Sequence, residues 1–395
     1  MVISRMFVTL FCGFFLALMS LNLFALVPYY LELRGEGALM YGLAAGMHGL
    51  SAVLAIALMG GKADKRSRRA SSLRYFAFAA LGHGLSLIAM FWSSVWYLVA
   101  LALQGVMVGV GLPVMFVWAA ELSPPERRAV AFGWFGVAGL AADTLGPALA
   151  EMLLQWGHEP HQPEDFRTVF VAANLLVPMS LVFLAATPDV SPPNQLAQGA
   201  DDDTSDEGLW ALLSRADIRA VSFAAVAFGG ALGVMMTLGK NYVVSIGLQF
   251  VTALLAAHTV GAVVSRVLLP LVLARFDSAR MIGAAFLSIA TSQVLLAVAS
   301  NYAMLVSAGF IYGVGHGLLF PTLLSRLVDY AGSHAAGRVT TLFMGMFSLG
   351  FGLAPTCGGV VLSFAGFSSL FCGTAMVCLG GWACVRHAER LRVAL

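Results

Sequence analysis

Charge is scarce in this sequence. Of its 395 residues only 11% are Asp, Glu, Lys or Arg, against about 25% in a soluble domain. So few polar groups cannot cover the surface of a water-soluble fold. The 59% hydrophobic content and mean hydropathy of +0.87 point to a lipid environment instead. Alternating ten-residue strand segments are also missing. That argues against a β-barrel and leaves the helix, which satisfies its own backbone in lipid. The five cysteines (Cys12, Cys357, Cys372, Cys378 and Cys384) all fall in apolar segments, so they read as small buried hydrophobes, not disulfides or metal ligands. No basic stripe suggests nucleic acid, and the net charge of +2 marks no charged partner. Nothing matches Gly-x-x-x-x-Gly-Lys-Ser/Thr, which argues against direct ATP drive. The apolar N-terminal stretch lacks an Ala-x-Ala site and is too long for a signal peptide, so it reads as a retained first span.

What is present is a series of uncharged runs. Met6–Leu31 and Gly37–Gly61 are each one span at about 20 residues per crossing. Tyr75–Ala120 holds 46 residues without a charge and breaks into two helices near Trp92-Ser93-Ser94. Ala129–Leu153 and Thr168–Ala186 complete a first six. The polar stretch Thr187–Gly208 follows, with Pro188, Pro192, Pro193 and the acids Asp201, Asp202, Asp203, Asp206 and Glu207, a composition that marks a flexible linker. Leu209–Arg219 reads as a short amphipathic surface helix. Ala220–Val244, Phe250–Leu273, Met281–Ser325 (broken near Ser300-Asn301) and Val339–Val385 (broken near Ala365-Gly366) supply six more. The expectation is an all-α membrane protein of twelve helices. A six-helix bundle over 1–187 and another over 220–395 would be joined by an acidic linker over 188–219.

Lys and Arg orient these helices. With the N-terminus in the cytoplasm, all but Arg34, Arg167 and Lys240 fall at cytoplasmic ends or loops. Both termini are therefore expected inside, in a bacterial-type inner membrane. The halves also resemble each other. Tyr30, Gly35, Leu43-Ala-Ala45 and Gly49 match Tyr242, Gly247, Leu255-Ala-Ala257 and Gly261 at an offset of 212. Gly105, Gly109, Pro113, Glu121 and Pro147 match Gly313, Gly317, Pro321, Asp329 and Pro355 at 208. A near-constant offset across five helices indicates a six-plus-six duplication, and parallel repeats of this kind place a transport pathway between the halves.

Gly60, Asp64, Arg68 and Arg69 follow the pattern Gly-x-x-x-Asp-Arg-x-Gly-Arg-Arg between the second and third helices, which resembles the loop motif of the major facilitator superfamily, and the resemblance covers nearly the whole chain. Lys65 stands for an Arg and Ser67 for the Gly, and the equivalent loop of the second half, Pro270–Arg280, has Ala274 at the acid's position. Gly146-Pro147 resembles the core of the antiporter motif Gly-Pro-x-x-Gly-Gly, with Ala150 and Glu151 in place of its last two glycines. Gln104-Gly105 lack the Arg expected three residues before the Gln, since Leu101 is there, so no proton role is carried over from that Arg. Glu121-Leu-Ser-Pro-Pro-Glu-Arg127-Arg128 resembles the acid-Pro-Arg segment after the fourth helix. The resemblance implies a drug:proton antiporter or similar small-molecule exporter. It gives the loop motif a conformational role, a latch in which Asp64 accepts hydrogen bonds from a helix N-terminus of the opposite half and Arg68, Arg127 or Arg128 pairs with Glu121.

A charge within a span costs at least about 2.5–3.5 kcal/mol on insertion scales, so each one invites a functional reading. Asp143, one turn before Gly146-Pro147, is the leading candidate to bind and release the coupling proton. A fixed contact to a neighbouring helix, or a gate, is the alternative. Glu151 reads as an outer-mouth contact. Arg266 could meet an anionic substrate group or Asp143, or it could snorkel to the surface. Lys240 reads the same way. His48, His83, His258 and His316 fall within spans, each with a hydrogen-bonded packing role as the alternative; His48 and His316, with Asn22 and Asn241-Tyr242, are candidates to line the pathway, with His83 behind them. His158-Glu-Pro-His161 in an outer loop reads as solvated and not as a metal cage. The reading is a monomeric secondary transporter, embedded in lipid, that takes a small organic molecule. It carries no cofactor beyond the proton as coupling ion and is not an enzyme. Uptake of an organic acid, or a non-transporting sensor on the same scaffold, are the alternatives.

Overall fold

The computed structural model describes residues 5–63, 67–124, 127–189, 209–332 and 335–393. The linker expected at 188–219 therefore lies largely outside the described residues. Every regular element in them is helical. The first bundle comprises α1 (Arg5–Leu33), α2 (Ala38–Ala63), α3 (Arg68–Ala89), α4 (Val95–Glu121), α5 (Arg128–Leu154) and α6 (Phe166–Ala186). The second comprises α7 (Ala216–Ser245), α8 (Thr252–Leu273), α9 (Ser278–Ala297), α10 (Tyr302–Ala331), α11 (Ala336–Leu362) and α12 (Gly366–Val393). Eleven of these are long and apolar enough to cross a membrane. The twelfth, α3, spans 22 residues but carries Arg68, Arg69 and Arg74 in its first two turns.

The chain divides into two compact units, Met1–Glu36 with Met47–Asp206, and Gly37–Gly46 with Glu207–Leu395. In the first, Phe14 and Phe135 lie 4.5 Å apart between ring centroids and pack with Phe116 and the fully buried Trp118. In the second, Phe228, Phe320, Phe343 and Phe347 form the matching cluster. Such ring contacts hold helices together where water offers no hydrophobic drive between them.

Helices outrun the uncharged stretches. α7 begins at Ala216, not Ala220, because Arg215 is extended and its guanidinium bonds both Asp217 (3.1 Å) and the Tyr330 carbonyl (2.6 Å). The surface helix is thereby cut to Leu209–Ser214. α9 begins at Ser278 because Asp277 caps it, accepting from the Arg280 N–H at 2.7 Å. Charges end an apolar run, but Arg, Lys and Glu are good helix formers, so helices continue past the lipid. One expectation is corrected: Cys357 and Cys372 are exposed. In a membrane bundle the outward face is apolar too, so hydrophobic context does not imply burial in protein.

The two bundles share a helix ending. Gly35 and Gly247 take φ of +78° and +77°, a left-handed cap that glycine adopts without Cβ strain. The Glu36 N–H bonds the Leu31 carbonyl and the Leu248 N–H bonds the Val243 carbonyl, both at 3.0 Å. The match at 212 is thus structural at these two ends. Deeper in, the register differs. A methyl at Gly105 would strike the His48 carbonyl, and one at Gly313 would strike the His258 carbonyl. Packing therefore pairs α2 with α8 at an offset of 210. The Leu-Ala-Ala matches at 212 reflect composition and not register.

Candidate functional site

At the basic end of the first unit, Ser67 caps α3, accepting from the Ala70 N–H at 3.1 Å, and donates to Asp189 at 2.5 Å. One residue on, Arg68 is buried and grips Glu121 with two nitrogens. Its Nε lies 3.2 Å from both carboxylate oxygens and its Nη2 lies 3.0 Å from Oε1. This fork-to-carboxylate geometry ties the start of α3 to the end of α4. Of the arginines considered for Glu121, Arg68 makes this ion pair. Arg69, Arg127 and Arg128 are exposed. Gly60 lies in the last turn of α2, and Asp64 lies outside the described residues. Asp189, which sequence reasoning passed over, brings a carboxylate to the N-terminal end of α3, with one oxygen 3.4 Å from the Arg69 N–H.

Midway along the first unit, α1 and α5 touch at Gly146, where an added Cβ would meet the Asn22 side chain. The Asn22 amide donates to the Leu18 carbonyl at 3.0 Å. Asp143 is half-buried on α5, one turn before this contact, and Pro147 lies inside the helix without ending it. Asn22, Asp143, Gly146 and Pro147 therefore share one neighbourhood.

The histidines form pairs. His48 Nε2 lies 2.9 Å from Gln104 Oε1, linking α2 to α4, and since that oxygen only accepts, the imidazole donates. His258 Nε2 lies 2.8 Å from His316 Nδ1, linking α8 to α10, with both rings buried and stacked at 21°. Tyr312 packs on His258 and Phe228 on His316. Arg266 lies eight residues, about two turns, beyond His258 on α8. The glycines beside His316 do not open space for a ligand. A Cβ at Gly315 would meet α9, and one at Gly317 would meet Ala262 and Ser265 of α8, so they admit neighbouring helices. His83 is buried, with Nδ1 at 2.6 Å from the Ala79 carbonyl and its ring against Phe24.

The opposite ends hold the remaining charges. Arg34 donates to the Ala89 (3.2 Å) and Trp92 (2.8 Å) carbonyls, satisfying the C-terminal end of α3. Lys240 is buried and donates to the Gln249 carbonyl, while Asn241 beside it is 1% exposed. Tyr242 donates to the Leu296 carbonyl at the end of α9, so each unit closes its third helix with a side chain from its first. Glu151 is buried. The His158 loop is ordered around Asp165, which takes His158 Nδ1 at 2.9 Å and the Gln162 N–H at 2.7 Å. Among the described residues no group of three or more His, Cys, Asp or Glu could hold a metal ion.

The comparisons with known proteins bear on what these parts serve. The family model of the Major Facilitator Superfamily matches residues 9–344 and 221–392. The chain belongs to the major facilitator superfamily. Among relatives of this facilitator is the multidrug resistance protein MdtG of Serratia proteamaculans, 24% identical over 386 residues, or 93% of this chain and 90% of that one. Its fold is similar to that of the human organic anion transporter MFSD10, with TM-score 0.66, 18% identity, and coverage of 96% and 99% of the two chains. It is also similar to the nucleoside transporter NupG, with TM-score 0.74, 13% identity, and coverage of 97% and 100%. The protein is thus a multi-pass membrane protein of a transporter family. Sequence reasoning treated the facilitator's histidines singly and missed His258 and Gln104 as partners. Aligned at 210, His48 and His258 become a repeated position, which was the available signal.

Proposed function

We propose that this facilitator is a proton-coupled exporter of small organic molecules, working by alternating access in a bacterial inner membrane with both termini cytoplasmic. The observation that carries export is the relationship to a multidrug resistance protein along 93% of the chain. Support for proton coupling comes from Asp143, an acid within α5 beside the Asn22–Gly146 contact and the Pro147 motif. The halves 1–187 and 220–395 would move about the linker 188–219 as a monomer. The inward and outward states would carry substrate and proton in opposite directions.

Inside-out membrane vesicles carrying the protein test this. With an acid interior, ethidium or carboxyfluorescein should accumulate, nigericin should abolish the accumulation, and Asp143→Asn should reduce it to the level of empty vesicles. Accumulation that is indifferent to the pH gradient would remove the proton from the mechanism, and undiminished flux in Asp143→Asn would remove that residue. A second reading, proton-coupled uptake of an organic acid, draws on Arg266, a cation within α8. An anion beside it would favour proton binding there, so the two would travel together. Loss of preloaded carboxyfluorescein from the acid vesicles, down the proton gradient, would favour that reading.

A further inference from the structure

We propose that His258 and His316 form a single-proton site in the second bundle, so that the pair, and not either histidine alone, holds a transported proton. The proposal rests on the proton-coupled reading and deepens it. Two neutral imidazoles carry two N–H protons on four nitrogens, and the 2.8 Å contact between His258 Nε2 and His316 Nδ1 requires one of those protons between them. A third proton adds to a remaining lone pair and turns the bridge into a charge-assisted hydrogen bond with the cation shared over both rings. A fourth would set N–H against N–H and break the bridge. The geometry therefore admits one added proton and rejects a second. His258 Nδ1, buried and without a hydrogen-bond partner among the described residues, is a ready acceptor for it. At the matching position of the first bundle, His48 instead meets the amide of Gln104, which cannot share a proton.

The surroundings isolate the pair. On α8, Arg266 is the charged neighbour. On α10, Tyr312 packs on His258. α7 presents Phe228 and α11 presents Phe347 behind it, while Lys240 of α7 is turned to the Gln249 carbonyl. α9 presents Ile289 and the hydroxyls of Ser288 and Ser292, which donate to α10 carbonyls. Arg266, a cation two turns from His258 on the same helix, opposes an added proton by like-charge repulsion. A second positive charge brought to this site should expel it.

Histidine-selective 15N solid-state NMR of the full chain in lipid bilayers reads the site without a substrate. Between pH 9 and pH 3, signals of two histidines should move together through one transition that takes up one proton. That transition should vanish in His258→Gln and in His316→Asn, which keep side-chain N–H groups for the bridge, and should persist in His83→Asn. Arg266→Gln should raise the protonated fraction at a given pH. Two independent titrations, or none across this range, would overturn the proposal. So would pH-driven dye flux in His258→Gln equal to the parent's. If the parent itself shows no pH-driven flux, the coupled reading fails while the NMR result still decides whether the pair shares a proton.

Discussion

At the scale of single residues, this protein places charges where a lipid-embedded chain would seldom tolerate them and satisfies them locally. Arg34 and Lys240, two of the three exceptions to the orientation rule, are bound to backbone carbonyls, Arg34 at the end of α3 and Lys240 in the loop between α7 and α8. That is why they can lie at the less basic end. The Arg68–Glu121 pair is the strongest instance. Its side chains are 6% and 12% exposed, and removing one partner of a buried pair typically costs about 3–5 kcal/mol, because the other charge remains unpaired. Glu121→Gln should therefore destabilise the first bundle by about 3 kcal/mol, while Glu121→Asp keeps the charge and loses less. Thermal unfolding in detergent should rank parent, Asp and Gln in that order, and a Gln variant as stable as the parent would show that the pair contributes nothing. Arg68 and Glu121 were both legible in the sequence, because each sits in a recognisable motif. Asp189 was not. It lies 120 residues from Arg69, and no local pattern announces a carboxylate that reaches back to the start of α3.

At the scale of elements, close helix packing depends on glycine at the crossing of α10 with α8. A Cβ at Gly313 would fall on the backbone of His258 and Ala262, atoms that cannot swing aside. Gly313→Val should force the helices apart, separate His258 from His316, and cost about 1–3 kcal/mol through overpacking. Gly337→Val, at a position with open space around it, serves as the control. Melting curves should separate the two variants by several degrees, and equal curves would mean that α8 and α10 accommodate the side chain. Helix count was legible because each uncharged run has a physical length set by the bilayer. Helix ends and register were less so. Asp277 and Ser67, both caps, stand 210 residues apart, as do His48 and His258. Matching glycines and alanines by eye favoured 212, since small residues recur too often in such helices to pin a register. The ion pairs at the basic ends also diverged. Where the first bundle ties α3 to α4 through Arg68, the second uses Arg326 of α10, which donates to Ser278 of α9 at 2.5 Å and pairs with Glu389 of α12 at 3.2 Å.

At the scale of the whole molecule, the repeat and the family were readable because both rest on features spread along the chain: twelve apolar runs, two sets of matching residues and one loop motif. The partners of the buried polar groups were not, because they are set by packing between distant segments, as the His258–His316 contact shows. The loop motif poses the last question. Asp64, the acid of Gly60–Arg69, follows α2, and Arg68 anchors the start of α3 through Glu121. We propose that Asp64 latches one conformational state by accepting hydrogen bonds from a helix N-terminus, an interaction of about 0.3–1 kcal/mol when exposed and up to about 2 when partly buried. A latch of that size acts on the balance between states and not on the substrate's contacts. Asp64→Asn should therefore lower the turnover rate in vesicles about two- to tenfold while leaving equilibrium dye binding to detergent-purified protein within twofold of the parent. Glu121→Gln should share the kinetic defect and add a loss of thermal stability, because it breaks the Arg68 anchor as well. If Asp64→Asn instead weakens binding with turnover intact, the motif contributes to recognition, and the latch must be sought elsewhere in the chain.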